Sequence, residues 1–143
     1  MRLVLDTAAM VAAIRSDSGA SHRLLQAALQ GEGVTLVVSV PLLIEYEAVM
    51  TRAEHLRASG LTADEVGILL DAVAAVAEPV RLAFLWRPLL PDADDDMVLE
   101  TAANGRADGI VTFNRRDFAV AEQQFGIAVL SPGDALSRLE REK

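Results

Sequence analysis

The stretch Arg2-Leu3-Val4-Leu5-Asp6 is a short, continuous apolar run that ends in an acidic residue. Such a run is typical of a strand that is buried on both faces, as in a parallel sheet. Open α/β sheets bind their ligands at the carboxyl ends of these strands, which is where Asp6 and Thr7 lie. The stretch therefore predicts an α/β fold and one edge of a functional site.

Further apolar runs alternate with helical segments along the rest of the chain. Strands are predicted at residues 2–6, 35–38, 80–86, 109–112 and 126–130. The sequence Thr62-Ala63-Asp64-Glu65 is a capping box that predicts a helix over 62–77, whereas residues 54–60 are expected to form a polar connection. Strict alternation of strands and helices predicts a parallel sheet of four to five strands, covered by helices on both faces.

Composition narrows the functional classes. The 143 residues, 52% of them hydrophobic, are enough for a single domain with a sizeable core, which we expect to span residues 1–143. Cysteine is absent, which excludes disulfides and thiol chemistry, and the single lysine is Lys143. The first apolar run is too short for a signal peptide or a membrane span, so a cytoplasmic protein without membrane contact is expected. The net charge of −8 argues against a surface that coats nucleic acid.

The most unusual segment is Leu90-Pro91-Asp92-Ala93-Asp94-Asp95-Asp96-Met97-Val98-Leu99-Glu100, which places four Asp residues within five positions. Carboxylates at this density repel one another unless a cation or a set of hydrogen bonds offsets the repulsion. A hard divalent metal such as Mg2+ is a common solution. An acidic helix start can also be purely structural, because Asp residues cap free N–H groups and favour the positive end of the helix dipole.

Other acidic residues follow the predicted strands in the same manner. Asp6 ends the first strand, Glu45 lies on the helix after the second, and Asn114 and Asp117 follow the fourth. Successive right-handed crossovers place the carboxyl ends of parallel strands on one edge of the sheet. The acidic positions are therefore expected to converge in one cleft.

These segments together resemble a PIN domain, most closely the toxin components of bacterial toxin–antitoxin pairs. The resemblance covers essentially the whole chain and rests on the order and spacing of short motifs: Leu5-Asp6-Thr7, Ser39 with Glu45, Asp95-Asp96-Met97-Val98-Leu99-Glu100-Thr101-Ala102, and Ala107-Asp108-Gly109-Ile110-Val111-Thr112-Phe113-Asn114-Arg115-Arg116-Asp117-Phe118. It implies a PIN-like three-layer α/β/α sandwich. It also implies an endoribonuclease that uses Mg2+ or Mn2+, a cognate antitoxin protein that blocks the cleft, and a homodimer.

The resemblance also assigns roles to individual positions. Asp6, Glu45 and Asp96 match the first three acids of the family. Asn114 stands at the usual place of the fourth acid, so Asp117 is a candidate to supply that carboxylate. The Asn that usually follows the first Asp by two residues is replaced by Ala8. Helical geometry alone does not choose between Asp95 and Asp96, and the choice of Asp96 rests on the resemblance.

Phosphodiester hydrolysis suits these residue types. It needs an activated water and neutralised phosphoryl charge, which two metals about 3.5 to 4 Å apart supply. Asp6 and Asp96 would be ligands, Glu45 would bridge to a metal or position the water, and Asp117 or Asn114 would hold the second metal. Hydroxyl groups that could orient the ligands are those of Thr7, Ser39 and Thr112.

Several other residues have two interpretations. Arg115 and Arg116 could contact RNA phosphates or be solvated, and Trp86 with Arg87 could stack a base or belong to the core. His22 and His55 are not expected to be catalytic, and Glu47 and Glu100 are expected to be exposed. The apolar pattern on the helix over 62–77 is most simply core, although a dimer surface would use the same residue types: Leu69, Leu70, Val73 and Val76.

Two other classes compete with a ribonuclease. A phosphoacceptor receiver domain also has acids after its first strand, but it needs a lysine after its last strand, and Leu130-Ser131-Pro132 contains none. A non-catalytic PIN-like module would bind metal, RNA or a partner without cutting. Ala8 and Asn114 make that second class a real alternative.

Overall fold

The computed structural model describes residues 1–85, 90 and 92–142, apart from the side chains of residues 93 and 94. Its centre is one sheet of parallel strands. In chain order these strands are β1 (Arg2–Leu5), β2 (Thr35–Val38), β3 (Glu78–Pro79), β4 (Gly109–Val111) and β5 (Ala128–Leu130). They lie in the order β3-β2-β1-β4-β5.

Helices fill the connections between the strands. They are α1 (Thr7–Arg15), α2 (Ala20–Gln30), α3 (Val40–Met50), α4 (Ala53–Ser59), α5 (Ala63–Val76), α6 (Ala93–Gly105), α7 (Ala119–Phe125) and α8 (Pro132–Glu142), with a 3-10 turn at Arg115–Phe118. The predicted three-layer α/β/α sandwich is confirmed. The capping box of α5 is also present, since Thr62 and Glu65 each accept a hydrogen bond from the other's backbone N–H at 3.1 Å.

The central strands are apolar on both faces because helices cover both faces. Leu3, Val4 and Leu5 of β1 are at most 1% exposed, and Ile110 and Val111 of β4 are fully buried. Helix α6 packs against β1, β2 and β4. Continuous apolar runs are the pattern that such two-sided burial requires.

Two predicted elements were wrong. The third strand was expected at residues 80–86, but β3 is the two-residue segment Glu78–Pro79, and residues 80–85 have no regular structure. Pairing with β2 ends at Pro79, after which the Val80 N–H still donates to the Val38 carbonyl at 2.8 Å. Residues 54–60 were expected to be a polar connection, but residues 54–59 form most of α4. This helix ends at Ser59 and is capped by Gly60, whose φ of 76° lies in the left-handed region that glycine adopts at little cost.

Burial corrects one prediction and divides another. Glu47 is exposed as expected, but Glu100 is fully buried, because α6 packs over the middle of the sheet. On α5, Leu70 and Val73 are buried in the core, whereas Val76 is 46% exposed. Within the described residues, none of the helices has the length and apolar character that a membrane span needs.

The strand order determines where a site can form. From β1 the chain moves outward to β2 and β3, then returns to the other side of β1 for β4 and β5. The gap between the carboxyl ends of β1 and β4 is therefore the topological switch point, where open α/β sheets bind ligands. The two strands are joined at this end by the Asp6 N–H, which donates to the Val111 carbonyl at 3.0 Å.

Candidate functional site

A cavity of about 400 Å³ lies at this switch point. Five carboxylates line it together with one amide side chain: Asp6, Glu45, Asp92, Asp95, Asp117 and Asn114. They come from the ends of β1 and β4, from α3, and from the start of α6. The structure thus brings together four of the residues singled out from the sequence, namely Asp6, Glu45, Asn114 and Asp117.

Asp6 is held in a single position at the base of this cavity. It caps α1, because its Oδ1 accepts the Ala9 N–H at 2.8 Å, and it is only 6% exposed. Burial raises the pKa of the Asp6 carboxyl, and hydrogen bonds from the Thr112 side chain and the Ala9 N–H lower it in part. A nearby cation would stabilise the charged form of such a buried carboxyl group.

Tyr46 fixes α3, and therefore Glu45, beside the end of β1. Its phenol is buried and donates a hydrogen bond to the Leu5 carbonyl, one residue before Asp6. Burial raises the pKa of Tyr46, with a further contribution from the charge of Asp6, so the phenol stays protonated and remains a donor. Glu45, the preceding residue, is half-buried and lines the cavity.

Thr112 connects the two strands that flank the switch point. Its hydroxyl accepts the Asn114 N–H at 2.9 Å and also hydrogen-bonds the Asp6 carboxylate, so it is the donor in that second contact. The Asp117 N–H in turn donates to the Asn114 carbonyl at 3.0 Å, which starts the 3-10 turn. One buried hydroxyl therefore sets the relative positions of Asp6 and Asn114.

The neighbouring residues Asp95 and Asp96 have different environments. Asp95 is half-buried and Asp92 is exposed, and both line the cavity. Asp96 is 1% exposed and does not line it; its Oδ1 accepts the Leu90 N–H at 2.9 Å. Successive residues of a helix point about 100° apart, which allows these neighbours to have different surroundings.

The three hydroxyl residues expected to orient the ligands differ in position. Thr112 contacts Asp6, and Thr7 lines the cavity. Ser39 lies away from it and is buried: its hydroxyl caps α3 by accepting the Leu42 N–H and bonds the Thr101 hydroxyl at 2.8 Å. Ser39 therefore holds α3 against α6.

The predicted RNA-contacting arginines do not line the acidic cavity. Arg115 lies 3.5 Å from Asp134 and borders a separate cavity beside β5, and Arg116 is exposed. The possible base-stacking pair Trp86 and Arg87 lies outside the described residues. His22 packs in a half-buried position, with its Nδ1 2.9 Å from the Ala13 carbonyl oxygen.

The lining residues that sequence reasoning missed include Arg52, His55 and Phe113. His55 belongs to residues 54–60, which were expected to be a polar connection, and Arg52 lies just before them, so no helix face was predicted for either residue. Phe113 stands between Thr112 and Asn114, and the exposed aromatic residue directly before the expected fourth acid was an available signal.

The donor set fits a hard divalent cation. Carboxylate and amide oxygens are the ligands that Mg2+ and Mn2+ prefer, and among the residues that the structure describes, none with a sulfur atom lines the cavity. Within the described residues, no three acidic or histidine side chains are already close enough together to hold a metal ion. Binding a metal here would therefore require these side chains to move closer together.

Comparison with known proteins gives a family for this arrangement. A sequence model of the PIN domain matches residues 2–116, which includes β1 to β4 and ends one residue before Asp117. No curated protein matches the chain at a significant level.

Proposed function

Because the chain belongs to the PIN domain family, whose members are generally nucleases, we propose that it is a metal-dependent endoribonuclease that hydrolyses RNA phosphodiester bonds. The observation that carries the proposal is the grouping of five carboxylates and Asn114 in one cavity at the switch point. Structural helix capping would explain acids at one helix start, but it does not explain acids from four separate segments facing one space.

Bound Mg2+ or Mn2+ would supply an activated water and neutralise charge on the phosphoryl group. Asp6 is the first ligand in this proposal, because it is buried and oriented by two hydrogen bonds. A bound cation would also stabilise its charged form. Glu45 positions the attacking water or bridges to a metal. Asp117 and Asn114 complete the donor set from the other side of the switch point.

We assign to Asp95 the ligand role that the resemblance gave to Asp96. Asp95 shares the cavity with Asp6, whereas Asp96 is buried and accepts the Leu90 N–H. In this assignment Asp96 shapes the turn that leads into α6. The ligand role of Asp96 stays a prediction, which a comparison of cleavage by Asp95→Asn and Asp96→Asn tests.

The resemblance to toxin components extends the proposal to a cytoplasmic toxin with a cognate antitoxin. A small antitoxin gene next to this one in the genome would support that role. A homodimer is supported by three exposed apolar side chains on the contacting helices α3 and α5: Val40, Ile44 and Ile68, which are 65–69% exposed. Light scattering of wild type and Ile44→Glu tests the dimer.

The test of the nuclease proposal is cleavage of a mixed pool of structured RNAs in Mg2+, in Mn2+ and in EDTA. We expect metal-dependent cutting by the wild type that Asp6→Asn and Asp95→Asn both abolish. Asp71→Asn is the control, since it removes the same charge from an exposed site on α5. A wild type that cuts nothing would contradict the proposal.

The rival class, a non-catalytic module, has one specific observation in its favour: Ala8 and Asn114 both line the cavity where the family usually has Asn and an acid. It predicts metal binding by calorimetry that depends on Asp6, without turnover. In that case Asn114→Asp is the variant in which cutting should appear.

A further inference from the structure

The cavity at the switch point is not uniformly acidic. Arg52, at the start of α4, is one of its lining residues. The Arg52 side chain is exposed, and within the described part of the chain it forms no ion pair. His55 lines the same wall, but its ring is already engaged, with Nδ1 3.4 Å from Arg15 Nη1. Arg52 is therefore a cation available to a ligand in this cavity.

Phe113 supplies an apolar surface to the same cavity. It is 61% exposed, although the residue before it, Thr112, is fully buried. The backbone from Thr112 to Asn114 is held by the bond between the Thr112 hydroxyl and the Asn114 N–H. Phe113 is thus presented on a fixed segment beside the acids and contributes little to the core.

We propose that Phe113 and Arg52 bind single-stranded RNA, with a nucleobase stacked on the Phe113 ring and a backbone phosphate held by Arg52. This inference rests on the proposed nuclease function, because it places the scissile strand across the acidic cavity. Aromatic side chains stack on any base whose face is free.

The arrangement selects against duplex RNA for a physical reason. In a duplex the base faces are covered by neighbouring base pairs, so Phe113 has no surface to stack on. The carboxylates of the cavity also repel phosphate. A strand is therefore best held by one cation and one uncharged ring at the cavity wall.

Binding is measured by fluorescence anisotropy in the Asp6→Asn background, so that cleavage does not consume the probe. The probes are a labelled single-stranded RNA and the same sequence annealed as a blunt duplex. We expect Phe113→Leu to weaken single-strand binding about 5- to 150-fold, the range that corresponds to loss of one base stack. Phe113→Tyr keeps the ring and should retain binding. Phe84→Leu is the matched control, because Phe84 is 67% exposed and does not line the cavity.

Arg52 is tested by salt dependence, which a purely structural role would not change. The slope of log affinity against log salt should decrease in magnitude by about 0.7 in Arg52→Gln, the value for one phosphate contact with a single strand. Arg57→Gln is the matched control, because Arg57 is exposed on the same helix and does not line the cavity. Phe113→Leu should lower affinity with its slope unchanged.

The outcomes separate this inference from the function on which it rests. If the wild type cuts RNA in a metal-dependent way while Phe113→Leu and Arg52→Gln bind as well as their controls, the inference is overturned and the nuclease stands. Equal affinity for duplex and single strand also overturns it. If RNA binds in the expected manner but is never cut, the nuclease proposal fails and the binding surface remains. If the wild type binds no RNA, both fail.

Discussion

At the residue scale, the chemistry of this protein depends on which acids face the cavity. Asp95 and Asp96 are identical in type and adjacent in sequence, yet one lines the cavity and the other is 1% exposed. The difference arises from the rotation of α6 about its axis. In the proposed mechanism, a ligand role would therefore follow from position on the helix and not from the local density of Asp residues.

The pair makes a direct comparison possible. We expect Asp95→Asn to lower cleavage more than the roughly 10- to 100-fold that losing a supporting partner of a metal ligand costs. Asp96→Asn keeps an oxygen acceptor for the Leu90 N–H and should stay within about 10-fold of the wild type. Initial cleavage rates in Mg2+ measure both, and the reverse order would restore the ligand role to Asp96.

Asp6 allows a prediction about stability and pH. Because its pKa is raised in the folded state, folding loses stability as the pH rises from the ordinary Asp value of about 3.9 through the raised value. At neutral pH, without metal, the buried charge is a net cost. We expect Asp6→Asn to increase the free energy of unfolding in EDTA at neutral pH. This gain should shrink as the pH falls toward the ordinary pKa of an Asp carboxyl.

Urea unfolding at a series of pH values measures the effect. Asp71→Asn serves as the control for removal of a charge, since Asp71 is exposed. A loss of stability in Asp6→Asn at neutral pH would show that the hydrogen bonds to Asp6 outweigh its desolvation.

At the element scale, α6 must lie close to the sheet for its acids to reach the cavity. Arg2 of β1 holds the end of this helix: its guanidinium donates to the Gly105 and Arg106 carbonyls at 2.6 Å and pairs with Glu78 of β3 at 2.8 Å. Gly105 itself has no room for a side chain, since a Cβ there would lie 2.7 Å from the Cγ atoms of Val37 and Val80.

Gly105→Ala is therefore expected to destabilise the protein by about 1–3 kcal/mol, the usual cost of overpacking, even though Ala is the better helix former. Gly67→Ala on α5 is the matched control, because nothing lies within 4 Å of its added Cβ. The free energy of unfolding of that variant should instead rise by roughly 0.5–1 kcal/mol. Thermal or urea unfolding of the two variants tests this prediction. A more stable Gly105→Ala protein would mean that α6 can shift outward without cost.

At the scale of the whole molecule, charge and topology act together. The net charge of −8 resists compaction and repels phosphate. The strand order places five of the acids in one cavity, so a bound cation would relieve repulsion where it is most concentrated. Sodium ions would only screen the molecule as a whole.

Divalent metal should thus raise the melting temperature beyond the effect of ionic strength, because a ligand that binds only the folded state stabilises it. We expect MgCl2 or MnCl2 to raise it more than NaCl at matched ionic strength, and Asp95→Asn to remove that excess. Differential scanning fluorimetry measures the shift. Equal shifts in the two salts would argue against a specific site.

The amino-acid pattern determined the fold class and the general place of the site. Continuous apolar runs correctly predicted β1, β2, β4 and β5, and the capping box correctly predicted α5. The apolar run at residues 80–86 was misleading, because residues 80–85 form no strand. That the whole chain forms one domain stays a prediction. The short third strand was missed because Glu78–Pro79 carries no apolar signal, and α4 was missed because its seven residues bury no side chain completely.

Tertiary structure alone decided how each helix faces the sheet. The position of Asp95 at the cavity and of Glu100 in the interior depends on the rotation of α6, which is set by contacts with residues far away in the chain. Arg52 and Phe113 line one cavity because the fold brings distant segments together. Sequence periodicity reports which residues share a helix face, but not which neighbour that face meets. That is why the chain's own pattern predicted an acidic site with Asp6, Glu45 and Asp117, whereas the lining by Asp95, Arg52 and Phe113 was decided only by packing.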